Sequence, residues 1–209
     1  MIKLNDGYNQ ILDQISSSNP TPGGGSVSAL VLSHAHCLAL MVARLTEGND
    51  KWIDGHNAAN DIISKSTDGL EKSLELARLD SEAFDEVMKS YRLPRNSDDE
   101  KEKRIISIRQ STIRAAKTPL SIVKACSELL ESTKELCIEG NINALTDLMS
   151  SVELAYSASN IASYNVKINL DSLTEEYSSE ISNELESHLK IIKIRFEENI
   201  SILKERLGW

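Results

Sequence analysis

The stretch SVSALVLSHAHCLALMVARLTE, residues 26–47, decides the fold class of this chain. Its larger apolar residues recur every three or four positions, which predicts an α-helix. Small and apolar residues also fill much of the opposite side. A helix that is apolar nearly all round belongs at the centre of a helical bundle. Because His34, His36 and Arg44 interrupt the apolar run, we expect a buried helix of a soluble protein and not a membrane span.

Five further segments of the 209-residue chain repeat the helical period. They cover approximately residues 4–15, 54–91, 97–139, 143–168 and 172–207. Since the breaks between them are short, we expect an all-α, up-and-down antiparallel bundle of long helices, in one domain over residues 1–209. A bundle of such long helices is narrow for its volume. We therefore also expect a partner subunit to cover an exposed apolar face, which gives a homodimer.

Local signals predict where some of these helices begin and break. Ser97 with Glu100, and Ser172 with Glu175, have the spacing of a capping box at a helix N-terminus. Pro119 lies inside the fourth segment, where it is expected to kink or interrupt the helix because proline cannot donate a backbone hydrogen bond.

The charge balance narrows the classes of partner. The chain carries 32 acidic and 23 basic side chains, which gives a formal net charge of −9. Proteins that bind nucleic acids need a cationic surface against the phosphates, and anionic membrane surfaces also attract basic segments. We therefore expect neither nucleic acid nor membrane as a partner.

The cysteines and the first residues point to the cytoplasm. Cys37, Cys126 and Cys137 are odd in number and widely spaced, and they form neither a CxxC pair nor a zinc pattern. The opening residues MIKLNDGYNQ lack the apolar core of a signal peptide. We expect reduced thiols and a cytoplasmic location.

The stretch NPTPGGGS, residues 19–26, is the most unusual local feature. Its two prolines restrict the backbone, and its three glycines leave the backbone bare for a tight turn. A helix follows at once, and the free N–H groups of a first helical turn suit an anion or a flat ligand. Neither the lysine of a P-loop nor a strand before the glycines is present. The alternative is a tight turn that lets two helices pack closely.

Several stretches, taken in order along the chain, resemble one protein family. They are PTPGGGSVSAL with MVARLT, Asp80–Phe84 with Tyr91–Pro94, Thr118–Leu120, Gly140–Ala144 with Asp147, and Asn165–Leu170. This series resembles the cyclodeaminase/cyclohydrolase family, which includes the cyclodeaminase domain of formiminotransferase-cyclodeaminase and stand-alone methenyltetrahydrofolate cyclohydrolases. The resemblance covers nearly the whole chain. It implies an all-helical bundle that dimerises, here in the stand-alone form.

The resemblance also implies an enzyme that takes a tetrahydrofolate derivative as its substrate and needs no prosthetic group. The first expectation is a methenyltetrahydrofolate cyclohydrolase, which hydrolyses 5,10-methenyltetrahydrofolate to 10-formyltetrahydrofolate in one-carbon metabolism. The alternative is a formimidoyltetrahydrofolate cyclodeaminase, which releases ammonia. A non-catalytic folate-binding or scaffold bundle is a third possibility, because the sequence departs from the family pattern around His34 and Leu148.

Candidate site residues follow from the resemblance and from the chemistry. Hydration of a cationic amidinium carbon needs a base or a proton relay, and Asp80 and Asp147 are the candidate catalytic carboxylates. For each aspartate, the alternative is a helix-capping or buried hydrogen-bonding role. The candidate substrate-binding residues comprise a backbone wall, an amide for the pterin edge and two cations for carboxylates: Gly23, Gly24, Gly25, Ser26, Asn165, Arg92 and Lys167.

No metal site is expected. The i, i+2 spacing of His34 and His36 places them on different sides of a helix, so we expect at least one to be packed in the core. The acidic residues do not follow the Glu-x-x-His pattern of di-iron bundles. Ser26 has no histidine–acid pair in a recognisable arrangement, which disfavours a serine hydrolase.

Overall fold

The structure is a computed structural model that describes residues 6–209. Leu4, which the sequence pattern assigns to the first helix, lies outside the described residues. The described chain forms six α-helices, two short 3₁₀ helices and no β-strand, so the all-α prediction is confirmed. The α-helices are α1 (Asp6–Ile15), α2 (Gly24–Glu47), α3 (His56–Tyr91), α4 (Asp98–Glu139), α5 (Leu145–Leu170) and α6 (Glu175–Leu207). The 3₁₀ helices are Asp50–Gly55, before α3, and Ile142–Ala144, before α5.

Helices α2 to α6 form an up-and-down bundle. α2 contacts α3 and α5, and α4 contacts α3, α5 and α6. Ion pairs show the directions of α3 and α4: Lys72 pairs with Glu128, whereas the later α3 residue Glu86 pairs with the earlier α4 residue Arg114. These two helices are therefore antiparallel, as predicted.

The apolar helix α2 is mostly buried, as its sequence predicts. It packs between α3 and α5 and not at the centre of the bundle, because a stripe of its surface that includes His34, Cys37, Met41 and Leu45 is exposed. Most of its fully buried side chains are small, which lets the neighbouring helices approach closely: Ala29, Leu32, Ala35, Ala39, Val42 and Ala43. By length and composition α2 is also the one helix of residues 6–209 that could cross a membrane. Within the bundle, 61% of its most apolar stretch is buried.

α2 begins two residues earlier than the sequence pattern indicates. Gly23 is the N-cap in an extended conformation, and the Val27 N–H donates to the Gly23 carbonyl at 2.9 Å. Gly24 and Gly25 are thus helical residues of the first turn. Glycine has a low intrinsic helix propensity, so the sequence alone places these residues in the preceding loop. Gly25 in this turn is buried against α3, a contact that the local sequence pattern does not reveal.

Pro119 does not interrupt α4, which continues from Asp98 to Glu139. A proline lacks the N–H that would bond the carbonyl four residues earlier, here that of Ala115. The side-chain amide of Asn169 on α5 donates to this carbonyl at 3.0 Å. A neighbouring helix therefore supplies the hydrogen bond that the proline removes.

The two predicted capping boxes have different outcomes. Ser97 and Glu100 form the reciprocal hydrogen bonds of a capping box at the start of α4, so that prediction is confirmed. The prediction of a box at Ser172 and Glu175 is wrong. Thr174 is the N-cap of α6, without a side-chain cap, and Glu175 is the first helical residue. A backbone turn, in which the Leu173 N–H donates to the Leu170 carbonyl, delays the helix start.

Candidate active site

Asp80 lies where the middle of α3 meets the first turn of α2. The Ser26 hydroxyl donates to Asp80 Oδ2 at 2.9 Å, although the two residues are 54 positions apart. The same Ser26 oxygen lies 2.9 Å from the hydroxyl of Ser81. The three side chains form one hydrogen-bonded cluster, which we call the Asp80 cluster.

Gly25 is required for the close approach of Asp80. A Cβ atom at position 25 would lie 2.3 Å from Asp80 Oδ1 and 2.5 Å from Oδ2. Real side chains do not reach such distances, so any other residue would displace the carboxylate. The carboxylate thus sits against the N-terminal turn of α2, where free N–H groups and the helix dipole stabilise negative charge.

Two opposing effects act on the pKa of the Asp80 carboxyl. Burial raises the pKa of the Asp80 carboxyl above its ordinary value, because a charged group loses water on burial. Hydrogen bonding from the Ser26 side chain and backbone opposes that rise. A carboxylate whose pKa is raised is a stronger base than a solvated aspartate, which suits proton transfer near neutral pH.

Asn165 lies beside Gly24 at the same end of the bundle. A Cβ atom at position 24 would lie 3.3 Å from Asn165 Nδ2 and 3.9 Å from a methyl carbon of Ile161. Gly24 itself is exposed, and Asn165 is half-buried. The Asn165 amide nitrogen donates to the Ile161 carbonyl, and its oxygen remains an acceptor next to the bare glycine backbone. The structure thus brings Gly24 and Asn165 together, next to Gly25 and Ser26.

The other predicted site residues do not join this cluster. Asp147 lies in the first turn of α5, 18 residues before Asn165, which is about 27 Å along a helix. A negatively charged side chain in a first turn interacts favourably with the positive end of the helix dipole. Arg92 is the exposed C-cap of α3, about 18 Å along the helix from Asp80. Lys167 is exposed in the last turn of α5.

The departures from the family pattern lie away from the Asp80 cluster. Leu148 is fully buried in the hydrophobic core, one residue after Asp147, and so does not fill the space beside Gly24. His36 is buried and His34 is exposed, so the expectation that at least one is a core residue is confirmed. Among residues 6–209, no group of three His, Cys, Asp or Glu side chains could hold a metal ion.

The sequence reasoning missed two residues that organise this end of the bundle. Ser81 completes the Asp80 cluster, and its position directly after Asp80 is the only sequence signal for it. Asn169 bridges two helices: its amide donates to the Ala115 carbonyl and, at 2.7 Å, to the carbonyl of Asn165. It lies in the quoted stretch Asn165–Leu170, but only the contact with α4 reveals its role.

The structure resembles that of a solved enzyme over nearly its full length. The formiminotetrahydrofolate cyclodeaminase of Thermotoga maritima superimposes with a TM-score of 0.85 at 26% sequence identity. The match covers 99% of this chain and 98% of that one.

Sequence comparisons give the same relationship. The methenyltetrahydrofolate cyclohydrolase of Methylorubrum extorquens is 33% identical over 187 residues, covering 88% of this chain and 89% of the relative. The formimidoyltransferase-cyclodeaminase of Gallus gallus is 26% identical, and the match covers 78% of this chain but 30% of that longer protein. The sequence profile of the formiminotransferase-cyclodeaminase family matches residues 7–187. The chain therefore belongs to the formiminotransferase-cyclodeaminase family.

Proposed function

We propose that this protein is a methenyltetrahydrofolate cyclohydrolase, which converts 5,10-methenyltetrahydrofolate and water to 10-formyltetrahydrofolate. The observation that carries this proposal is the match, at 33% identity over 88% of this chain, with the cyclohydrolase of Methylorubrum extorquens. The reaction requires water and proton transfers alone. We therefore propose a folate derivative as the substrate and no prosthetic group.

Asp80 is our proposed general base. A water molecule adds to the amidinium carbon while Asp80 accepts one of its protons. As the bond from this carbon to N5 breaks, N5 takes up the proton held by Asp80. The added hydroxyl loses its own proton to the solvent and becomes the carbonyl of the formyl group on N10. Before the water adds, the negative charge of the carboxylate also stabilises the bound cationic ring system of the substrate.

The exposed backbone at Gly24 and the side chain of Asn165 are the proposed contacts for the flat pterin. A bare glycine backbone permits close approach of a ring, and an amide both donates and accepts hydrogen bonds. Gly23, Gly25 and Ser26 complete this wall. Arg92 and Lys167 remain proposals for the substrate's carboxylates, which would have to reach beyond the Asp80 cluster.

The first test is the rate at which methenyltetrahydrofolate absorbance disappears, in a buffer where spontaneous hydrolysis is slow. We expect a rate proportional to enzyme concentration and 10-formyltetrahydrofolate as the product. No acceleration over buffer would reject the cyclohydrolase. Binding without turnover of either folate would favour the non-catalytic alternative.

Formimidoyltetrahydrofolate cyclodeaminase is the second candidate, because the superimposed Thermotoga enzyme carries that name. The two reactions share a substrate shape and a charge, so one site could serve either. Ammonia release from formimidoyltetrahydrofolate separates them: release faster than methenyltetrahydrofolate hydrolysis would reverse the order of our proposals.

The two aspartates are tested by Asp80→Asn and Asp147→Asn. At position 80, asparagine keeps the size of aspartate and can accept the hydrogen bond from Ser26, but it cannot act as a base. We expect Asp80→Asn to lower kcat at least about 100-fold, which is the usual contribution of a general base. Because the geometry separates Asp147 from the Asp80 cluster, we expect near wild-type turnover for Asp147→Asn. The opposite pattern would transfer the catalytic role to Asp147.

We also propose that residues 1–209 form one domain that assembles as a cytoplasmic homodimer through α2 and α5. The outward side of α2 carries Met41 and Leu45, which are 37% and 49% exposed. On the antiparallel helix α5, Tyr164 and Ile168 are 64% and 63% exposed, at the opposite end of the helix pair from Met41 and Leu45. Exposed apolar residues at both ends of this helix pair favour burial against a second copy. The three free thiols are consistent with a reducing compartment.

A further inference from the structure

The hydrogen bonds of the Asp80 cluster have a direction that follows from counting protons. An ionised carboxylate only accepts, so the Ser26 hydroxyl donates its single proton to Asp80 Oδ2. That hydroxyl then has no proton left for Ser81. The 2.9 Å contact between the two serine oxygens must therefore be a hydrogen bond from Ser81 to Ser26.

Ser81 thereby fixes the orientation of Ser26. Ser26 is 1% exposed, so bulk water does not readily replace a lost partner. A hydroxyl that accepts a hydrogen bond becomes a stronger donor, because successive hydrogen bonds polarise one another in a low-dielectric interior. Ser81 is adjacent to Asp80 on α3, so one helix supplies both ends of the chain of hydrogen bonds.

We propose that Ser81 is a positioning residue that acts on Asp80 through Ser26, by holding the Ser26 hydroxyl as a donor to the carboxylate. This inference rests on the proposed function only for its effect on turnover. Its effect on the ionisation of Asp80 is independent of any substrate.

Neighbouring charged side chains do not set the pKa of Asp80. Burial raises this pKa, and the hydrogen bonds from Ser26 lower it. On the facing helix α4, Arg114 pairs with Glu86, and Lys124 pairs with Glu184. On α3, Arg78 pairs with Glu75 and Glu82. Lys117 on α4 and Lys167 on α5 are exposed to solvent. On α2, no Asp, Glu, Lys or Arg residue precedes Arg44, and His34 and His36 lie about 12 and 15 Å along the helix from Ser26.

The test is titration of the Asp80 carboxyl by carbon-13 NMR in the full-length protein, with the signal assigned by its loss in Asp80→Asn. We compare the wild type with Ser81→Ala, Ser81→Thr and Ser26→Ala. Ser64→Ala is the matched control, because Ser64 is an exposed serine on the same helix. Thermal melting confirms that each variant is folded.

We expect Ser81→Ala to raise the pKa of Asp80 by about half a unit, and Ser26→Ala to raise it by about one unit, since hydrogen bonds to a charged group are the stronger kind. Ser81→Thr keeps the hydroxyl and should restore the wild-type value. The same order should appear in the acid limb of the kcat/KM profile, with KM little changed.

Two results would overturn the inference. One is that the pKa of Asp80 in Ser81→Ala equals that in the Ser64→Ala control, while Ser26→Ala still raises it. The other is an equal shift in Ser81→Ala and Ser81→Thr, which would show that the hydroxyl is not responsible. A wild-type protein that titrates as expected but does not turn over methenyltetrahydrofolate would reject the proposed function and leave the role of Ser81 standing.

Discussion

At the scale of single residues, Gly24 and Gly25 lack side chains for different reasons. Gly25 lets the Asp80 carboxylate reach the first turn of α2, whereas Gly24 is exposed beside Asn165. The glycine stretch therefore combines the two roles that its sequence allowed. Gly25 permits close packing, and the preceding Gly24 leaves the exposed backbone that we propose as a folate contact.

Gly24→Val tests the role proposed for the exposed backbone. Its side chain would fill the space beside Asn165, so we expect the folate affinity to fall at least about tenfold, a loss of about 1.4 kcal/mol. The melting temperature should change little, since the site is open. Gly25→Val is the matched variant, and it should mainly lower the melting temperature. Equal losses of affinity and stability in Gly24→Val, by titration and melting, would reduce Gly24 to a packing role.

His36 makes the folded protein sensitive to acid. Its side chain is 5% exposed, both ring nitrogens lack a hydrogen-bond partner, and the ring occupies the space that Gly69 leaves free. Burial is the main cause that lowers the pKa of His36 from 6.5 to about 4, with Lys72 lowering it and Glu128 raising it. The folded state thus holds the neutral ring.

Because the pKa of His36 is depressed in the folded state, its contribution is fully present above pH 6.5 and is lost as the pH falls toward 4. The shift corresponds to about 3 kcal/mol of unfolding free energy. We expect His36→Leu to remove most of this acid dependence in urea unfolding at pH 7, 5.5 and 4. The exposed His34→Leu is the control. The same pH dependence in all three proteins would refute this account.

At the scale of elements, α4 and α5 depend on each other through one hydrogen bond. Pro119 leaves the Ala115 carbonyl without its helical partner, and Asn169 donates to it from the next helix. A proline inside a 42-residue helix is thus tolerated because a distant residue on the following helix compensates.

Asn169→Leu should lower the free energy of unfolding by about 1–3 kcal/mol, because it leaves a carbonyl without a partner. In the Pro119→Ala background, the backbone N–H gained at position 119 can bond the same carbonyl. The Asn169 substitution should then cost less, and the double-mutant cycle should show coupling of at least about 0.5 kcal/mol. Additive effects in chemical denaturation would show that the two sites are independent.

At the scale of the whole molecule, the proposed dimer explains an otherwise exposed apolar surface. Met41→Glu combined with Leu45→Glu places two charges on the outward side of α2 without touching the Asp80 cluster. We expect the variant to sediment as a monomer while the wild type sediments as a dimer. Lys190→Glu, an exposed change on α6, controls for added charge. A wild-type monomer, or a variant that remains dimeric, would reject this interface.

Much of the secondary structure was predictable because its signals are local. The periodicity of α2 and the Ser97 capping box depend on residues a few positions apart, and both predictions are confirmed. The boundaries at Gly24 and Glu175 were not predicted correctly. Both boundaries depend on contacts that the local sequence pattern does not contain. In α2, Gly25 packs against Asp80 of α3, and before α6 a backbone turn at Leu173 replaces the predicted cap.

The sequence by itself determined that the chain is a bundle of long helices with a buried α2, since apolar periodicity is a property of each segment alone. It also pointed to Asp80, Ser26 and Asn165 as site residues. Only the tertiary structure decided that Asp80 meets Ser26 and Ser81, and that Asn169 completes α4. Such contacts depend on the rotation and axial register of one helix against another, and packing of the whole core fixes both.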